Sequence, residues 1–295
     1  MTIPPPRNAN EFIEQQLDTR LNSLESLFRS DVIALKSGLV VGVDGVIRDV
    51  VEEKHAKSKA HALTVVLTTG GGYIEVVQRI VETLRHHYDQ VVFVVPDYAL
   101  SAGTVLAMSG DAIYMDYYSR LGPIDPQVET TSGRRVPALG YLVQWERLLQ
   151  KANNGTLTLA EMQLMIEGFD QAELYQYEQA RDLSIELLKE WLMKYKFKNW
   201  IVTETRQKKV TPRMRQQRAE QIARELNRTD RWHSHGYGIS MDILHRDLKL
   251  RIDDYGADAT LSDGIKQYYR LFEDYMAKRD HEAALHTTGV YLPII

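Results

Sequence analysis

Two short stretches of this chain hold residue types that could do chemistry together. One is TTGGGY at residues 68–73, which closes the β-branched run ALTVVLT. The other is ALSAG at residues 99–103, which follows the apolar run VVFVV. A serine hydroxyl at the start of a helix can attack an electrophilic carbonyl, and the N–H groups there favour developing negative charge. Glycines let backbone N–H groups approach such a charge closely. Ser101 would also serve as a plain helix N-cap, and TGGG as a plain tight turn; residue type alone does not choose.

Other chemistries find less support. The chain has no cysteine, which removes disulfides, thiolate metal sites and a Cys nucleophile. Neither GxGxxG nor GxxxxGK[ST] occurs at the glycine turn, and the surroundings of Ser101 do not match GxSxG. His86 and His87 are consecutive on a predicted helix, point in different directions and make a poor metal pair. No cofactor is implied.

The elements that must hold the two stretches are readable. ALTVVLT and VVFVV suit buried parallel strands, and between them Ile74, Val77, Val81 and Leu84 recur on one helical face. This is a βαβ unit, so both turns open at the same edge of the sheet. Helix from Ser101 to Met108 and strand at DAIYMDY repeat the pattern. An N-terminal amphipathic helix over 1–30 is predicted from Ile13, Leu17, Leu21, Leu24 and Phe28, packing on a neighbour. Strand near Val32–Leu35 and helix from Asp44 to Lys57 open an α/β core at 31–150, and 151–295 reads as a helical region completing it. Residues 119–140, rich in Gly, Pro, Ser and Thr, read as a long surface segment. A strand and turn are expected at LKLRIDDYG, followed by a last helix.

At 295 residues and 44% hydrophobic, the chain has ample apolar content for a folded core, and a net charge of −4 argues against nucleic-acid binding by the whole molecule. Between Lys194 and Arg231 there are twelve Lys and Arg against four Asp and Glu, which reads as a solvated helix face. The start MTIPPPRNANEF lacks the pattern of a signal peptide, and Pro96 and Asp97 interrupt the one apolar span, so a cytoplasmic protein is expected.

TTGGG after a strand, ALSAGTVLAMSGDAIYM, SRLGPIDPQ and a later WHSHGYGIS resemble the serine dehydrogenase proteinase family. That family is a branch of the ClpP/crotonase fold, akin to Clp protease subunits and signal peptide peptidase A. The resemblance implies an α/β fold of repeated ββα/βαβ units with additional C-terminal helices. It implies Ser101 as nucleophile, an oxyanion hole from the N–H groups of Gly72 and Ala102, and Gly71 shaping the first loop. A peptide or unfolded-protein substrate would lie strand-like along residues 70–75. Members assemble into homo-oligomers, with the N-terminal helix a plausible interface, and some act with a regulatory protein partner.

The chain departs from its relatives in two places. TGGG replaces a TPGG-like turn, and GPIDP stands where Clp proteases carry their base histidine. Three residues remain for that role. His235, in SHGYGIS, resembles a family histidine before a strand-like segment. Lys151 lies where signal peptide peptidases place a lysine. Asp125 is the nearest polar side chain in the aligned stretch. A serine peptidase leads this reading; a crotonase-type acyl-thioester enzyme and a scaffold that has lost its base are its rivals.

Overall fold

The computed structural model describes residues 5–124, 127–129, 135–203, 206–232, 234 and 236–294. In chain order these form α1 (Ala9–Phe28), β1 (Asp31–Lys36), α2 (Val43–Ser58), β2 (Ala62–Thr68), α3 (Ile74–His87), β3 (Gln90–Val94), β4 (Tyr98–Ala99), α4 (Ala102–Met108), β5 (Ala112–Met115), β6 (Arg120–Leu121), β7 (Gln127–Glu129) and β8 (Arg135–Pro137). There follow α5 (Ala138–Asn153), α6 (Leu159–Gly168), α7 (Gln171–Trp191) with a π-helical turn at Leu192–Lys196, α8 (Pro212–Leu226), α9 (Thr229–Trp232), β9 (Ile239–Ser240) and α10 (Met241–Arg246). The chain ends in β10 (Asp253–Asp254), α11 (Ala259–Lys278), β11 (Ala283–Thr287) and β12 (Val290–Ile294).

Seven strands form the main sheet in the order β10-β5-β3-β2-β1-β11-β12. The run from β10 to β1 is parallel, and β11 and β12 add antiparallel. Alternation along a strand sends neighbours to opposite faces. Ile33, Leu35, Val65 and Leu67 accordingly join the core beneath α2, α3, α4 and α7. Val32, Ala34 and Val66 join a second core with α1 and α11. Burial on both faces explains why these strands read as continuous apolar runs.

The apolar stripe of α1 packs inside the chain. Leu17, Leu21 and Leu24 are fully buried, in one core with Ile265, Tyr268 and Phe272 of α11. Residues 119–124 also depart from the sequence expectation. Ser119, Leu121 and Ile124 are buried, and β6 is the middle strand of a small sheet, β4-β6-β9. Its polar backbone is met by neighbouring strands, which lets a Gly- and Pro-rich segment lie inside. The strand expected at LKLRIDDYG is reduced to the two residues of β10, and β11 and β12 are strands in a region expected to be helical.

Candidate functional site

The parallel sheet delivers both glycine turns to one edge. Beyond β2, Thr69 pairs with β4: its N–H donates to Tyr98 O at 3.0 Å, and Leu100 N–H donates to Thr69 O at 2.9 Å. The chain then turns at Ser101 and enters α4. Ser101 has φ 53° and ψ −122°, outside the regions that L-residues ordinarily occupy. Its side chain makes no capping hydrogen bond to the helix it precedes. A plain N-cap has extended backbone and a capping side chain, so the cap explanation fails on both counts. Strained backbone of this kind persists only where surrounding contacts hold it.

Those contacts are glycine-shaped. A methyl built on Gly71 (φ 99°) would sit 2.8 Å from Leu100 O, 2.8 Å from Ser101 Cβ and 3.2 Å from Ser101 Oγ. One built on Gly122 would sit 3.1 Å from Ser101 N. Three loops therefore meet at Ser101: 70–72, 99–101 and 122. The hydroxyl of Thr104, fully buried one turn into α4, ties them together. It donates toward Ala99 O (2.8 Å) and Gly122 O (3.0 Å) and accepts from Gly122 N–H (2.9 Å).

Two N–H groups border the serine without a partner. Leu39 N–H donates to Gly71 O (2.9 Å) and Tyr73 N–H to Leu39 O (2.8 Å), a parallel bridge that turns the N–H of Gly72 away from Leu39. At the first position of α4, Ala102 N–H lacks an intrahelical acceptor, as every helix start does. Neither N–H donates a hydrogen bond among the described residues. The same bridge changes the substrate expectation: one edge of residues 70–73 is occupied by the chain's own Leu39, leaving only the edge that carries the Gly72 N–H. Ser101 itself is fully buried.

His235 and Asp125 lie outside the described residues. Lys151 sits on α5, and its ammonium is ion-paired with Glu161 in the first turn of α6. That hydrogen bond, followed by one from the Thr158 N–H, draws the Glu161 carboxyl down to about 2. Lys151 thus closes a helix-capping arrangement, and to act as a base it would have to leave that partner. Thr104 and Gly122 were not singled out from the sequence, although SAGT and LGP carried both; the signal was a buried hydroxyl among small residues. No metal-binding group of three or more His, Asp or Glu occurs among the described residues, and His87 packs against the rings of His55 and His86.

Over residues 46–205 the chain matches the ClpP-like SDH-type serine proteinases. It belongs to that family. The match takes in both glycine turns' neighbourhood, Ser101 and α4 through α7, so the fold and the resemblance read from the motifs stand together. Two uncharacterized proteins of Methanocaldococcus jannaschii are similar to this SDH-type chain. One is 28% identical over 120 residues, 41% of this chain and 39% of the relative. The other is 32% identical over 107 residues, 36% of each. The matched stretch thus spans about two fifths of these relatives' length. Among solved structures, a membrane-bound stomatin-specific protease in complex with a substrate peptide has a TM-score of 0.44 at 14% identity, over 75% of this chain and 73% of that one. ClpP1 from Listeria monocytogenes has a TM-score of 0.40 at 11% identity, over 79% and 90%. No described helix of this chain is long and apolar enough to cross a membrane.

Proposed function

We propose that the protein is a serine peptidase that cleaves peptide bonds through an acyl-enzyme on Ser101. The observation that carries this reading is the Ser101 turn: a strained, non-capping serine wedged against Gly71, flanked by two backbone N–H groups that donate to no acceptor among the described residues. Ser101 Oγ attacks the scissile carbonyl carbon and its proton passes to a base. The carbonyl oxygen becomes an oxyanion held by the N–H groups of Gly72 and Ala102, with Gly71 keeping the loop close. The base then protonates the leaving amine as the C–N bond breaks. Water, deprotonated by the same base, releases the acyl group and restores the serine.

His235 is the proposed base and Asp125 the group that orients it. In support, Ile239, at the end of the His235 segment, pairs with Leu121 in the sheet that also contains β4. The described neighbour of Asp125 is anchored to the same region, with Ile124 N–H on Leu226 O at 2.9 Å. We also propose a cytoplasmic homo-oligomer acting on peptides or unfolded protein, with a regulatory partner displacing whatever covers Ser101.

A fluorophosphonate probe and hydrolysis of an unfolded protein test this directly. Wild type is expected to label and cleave, and Ser101→Ala to do neither; equal rates would remove Ser101 from the mechanism. Single variants separate the bases: loss of labelling in His235→Ala supports the histidine, whereas retained labelling there with loss in Lys151→Ala supports the lysine.

A further inference from the structure

A cavity of about 530 Å³ opens at the β5–β10 edge of the sheet, lined by none of the loops around Ser101. Five cations line it: Lys196, Lys198, Arg218, Lys249 and Arg251. Among the described residues only two carboxylates share it, Asp111 and Asp253, and both are already engaged. Asp111 is held by Arg85 at 2.8 Å and by Lys198; Asp253 takes Arg251 at 3.3 Å. Burial alone would raise Asp111, but the hydrogen bonds from Lys198, Val91 N–H and Arg85 outweigh it and keep it below the ordinary range.

Three cations are left over. Lys196 and Lys249 have no hydrogen-bond or ion-pair partner among the described residues, and Arg218 reaches only the carbonyl of Leu248 and the Gln221 side chain. Lys196 sits at the end of the π-helical turn, a backbone form found often at functional sites. Burial brings its ammonium down to about 8. Concentrating unpaired cations in a concave site costs free energy that a bound anion would offset. The same cavity is walled by Tyr195, Phe197 and the partly exposed Trp200. Tyr195 already has the Arg85 guanidinium over one face at 3.7 Å, whereas Trp200, tilted against Phe197 with ring centroids 5.7 Å apart, keeps part of its ring surface exposed toward the cavity.

We propose that this cavity binds a nucleoside di- or triphosphate, its phosphates on Lys196, Arg218 and Lys249 and its base on Trp200. The volume lies within the usual range for small-molecule sites. Lys196, Lys198 and Arg218 come from the basic stretch that sequence alone assigns to a solvated face; they instead converge on one concavity. The binding is independent of whether Ser101 is a nucleophile.

Calorimetry and tryptophan fluorescence on the full chain test it, titrating ADP, ATP and pyrophosphate, with circular dichroism melts to verify folding. ADP and ATP are expected to bind with dissociation constants below about 1 mM. Pyrophosphate should bind more weakly, because it lacks a ring to stack. Lys196→Gln and Lys249→Gln should each weaken ADP about tenfold. Trp200→Leu should weaken ADP and leave pyrophosphate unchanged. Lys209→Gln, a basic residue of the same stretch that does not line the cavity, should have no effect. Absence of binding by either nucleotide, equal affinity for pyrophosphate and ADP, equal losses in Lys196→Gln and Lys209→Gln, or tighter binding of a single-stranded oligonucleotide would each overturn the proposal.

Discussion

Adjacent glycines in TGGG should respond in opposite ways to the same added methyl group. Gly71→Ala places a Cβ 2.8 Å from Leu100 O and from Ser101 Cβ, at φ 99°, a conformation L-residues rarely adopt. The backbone term costs about 1–3 kcal/mol. Overpacking against a backbone carbonyl adds about 1–3 kcal/mol, because the clashing atom is not the free end of a side chain. The total, about 2–6 kcal/mol, corresponds to a fall in Tm of roughly 3–10 °C for a chain of this size. Gly70, one residue earlier, is exposed, has no positive φ, and a Cβ there meets nothing within 4 Å. Gly70→Ala should therefore stabilise by about 0.4–1 kcal/mol, through the unfolded chain alone. The assay is thermal unfolding of both variants beside wild type, followed by fluorophosphonate labelling well below the melting point of Gly71→Ala. There Gly71→Ala should be folded but unlabelled, since its methyl lies 3.2 Å from Ser101 Oγ; Gly70→Ala should label normally. Equal melting points for the two variants would refute the assigned loop geometry. Normal labelling of folded Gly71→Ala would refute the assigned closeness of that loop to Ser101 Oγ.

Other variants probe the supports of the site. Gly72→Ala should be the most damaging of the three, because its Cβ would overlap the Leu39 carbonyl; denaturant unfolding measures it. Thr104→Val should cost about 1–3 kcal/mol, since it leaves Ala99 O, Gly122 O and Gly122 N–H without the hydroxyl. It should also slow labelling, and Thr104→Ser should restore both. Lys196 gives a pH signature. Its folded value, about 8, lies below the ordinary 10.5, so below pH 8 both states hold the proton and the burial penalty is complete. Between those values the folded chain sheds its proton first, and this group's contribution to stability rises with pH, by up to about 3 kcal/mol. Lys196→Met should lack that rise, which urea unfolding at pH 7.5 and 10 compares with wild type.

What the sequence disclosed follows a physical boundary between local and distant constraints. ALTVVLT and VVFVV were legible as strands because both faces are buried, and Ile74, Val77, Val81 and Leu84 because α3 shows one face to the core. β11 was not. AALHT carries no β-branched run; it is held by pairing with β1 and by His286, whose ring nitrogen shares a 2.8 Å hydrogen bond with Tyr268. Residues 119–124 carry turn chemistry, and what buries them is the pairing of Arg120 and Leu121 with Ser240 and Ile239.

The proposed site divides in the same way. The turn at Ser101 is local: strand, small residues and helix start are contiguous, so Ser101 and the glycine turn before it stand out in the sequence, while the separate roles of Gly71 and Gly72 came from the family resemblance. A base has only to bring one side chain within reach, from any element, so spacing cannot select it. Long-range contacts discriminate better. Asn227 Nδ2 donates to Ile124 O at 2.9 Å, Ile239 pairs with Leu121, and Leu121 lies beside Ala99, two residues before the serine. The segment before the Asp125 position and those before and after the His235 position are thus tied to the small sheet whose β4 leads into Ser101. Lys151 is tied instead to Glu161, on the helix after its own. This favours testing His235→Ala first: if Ser101 labelling persists undiminished in that variant between pH 6 and 8, the base is not the histidine and the proposed proton path fails.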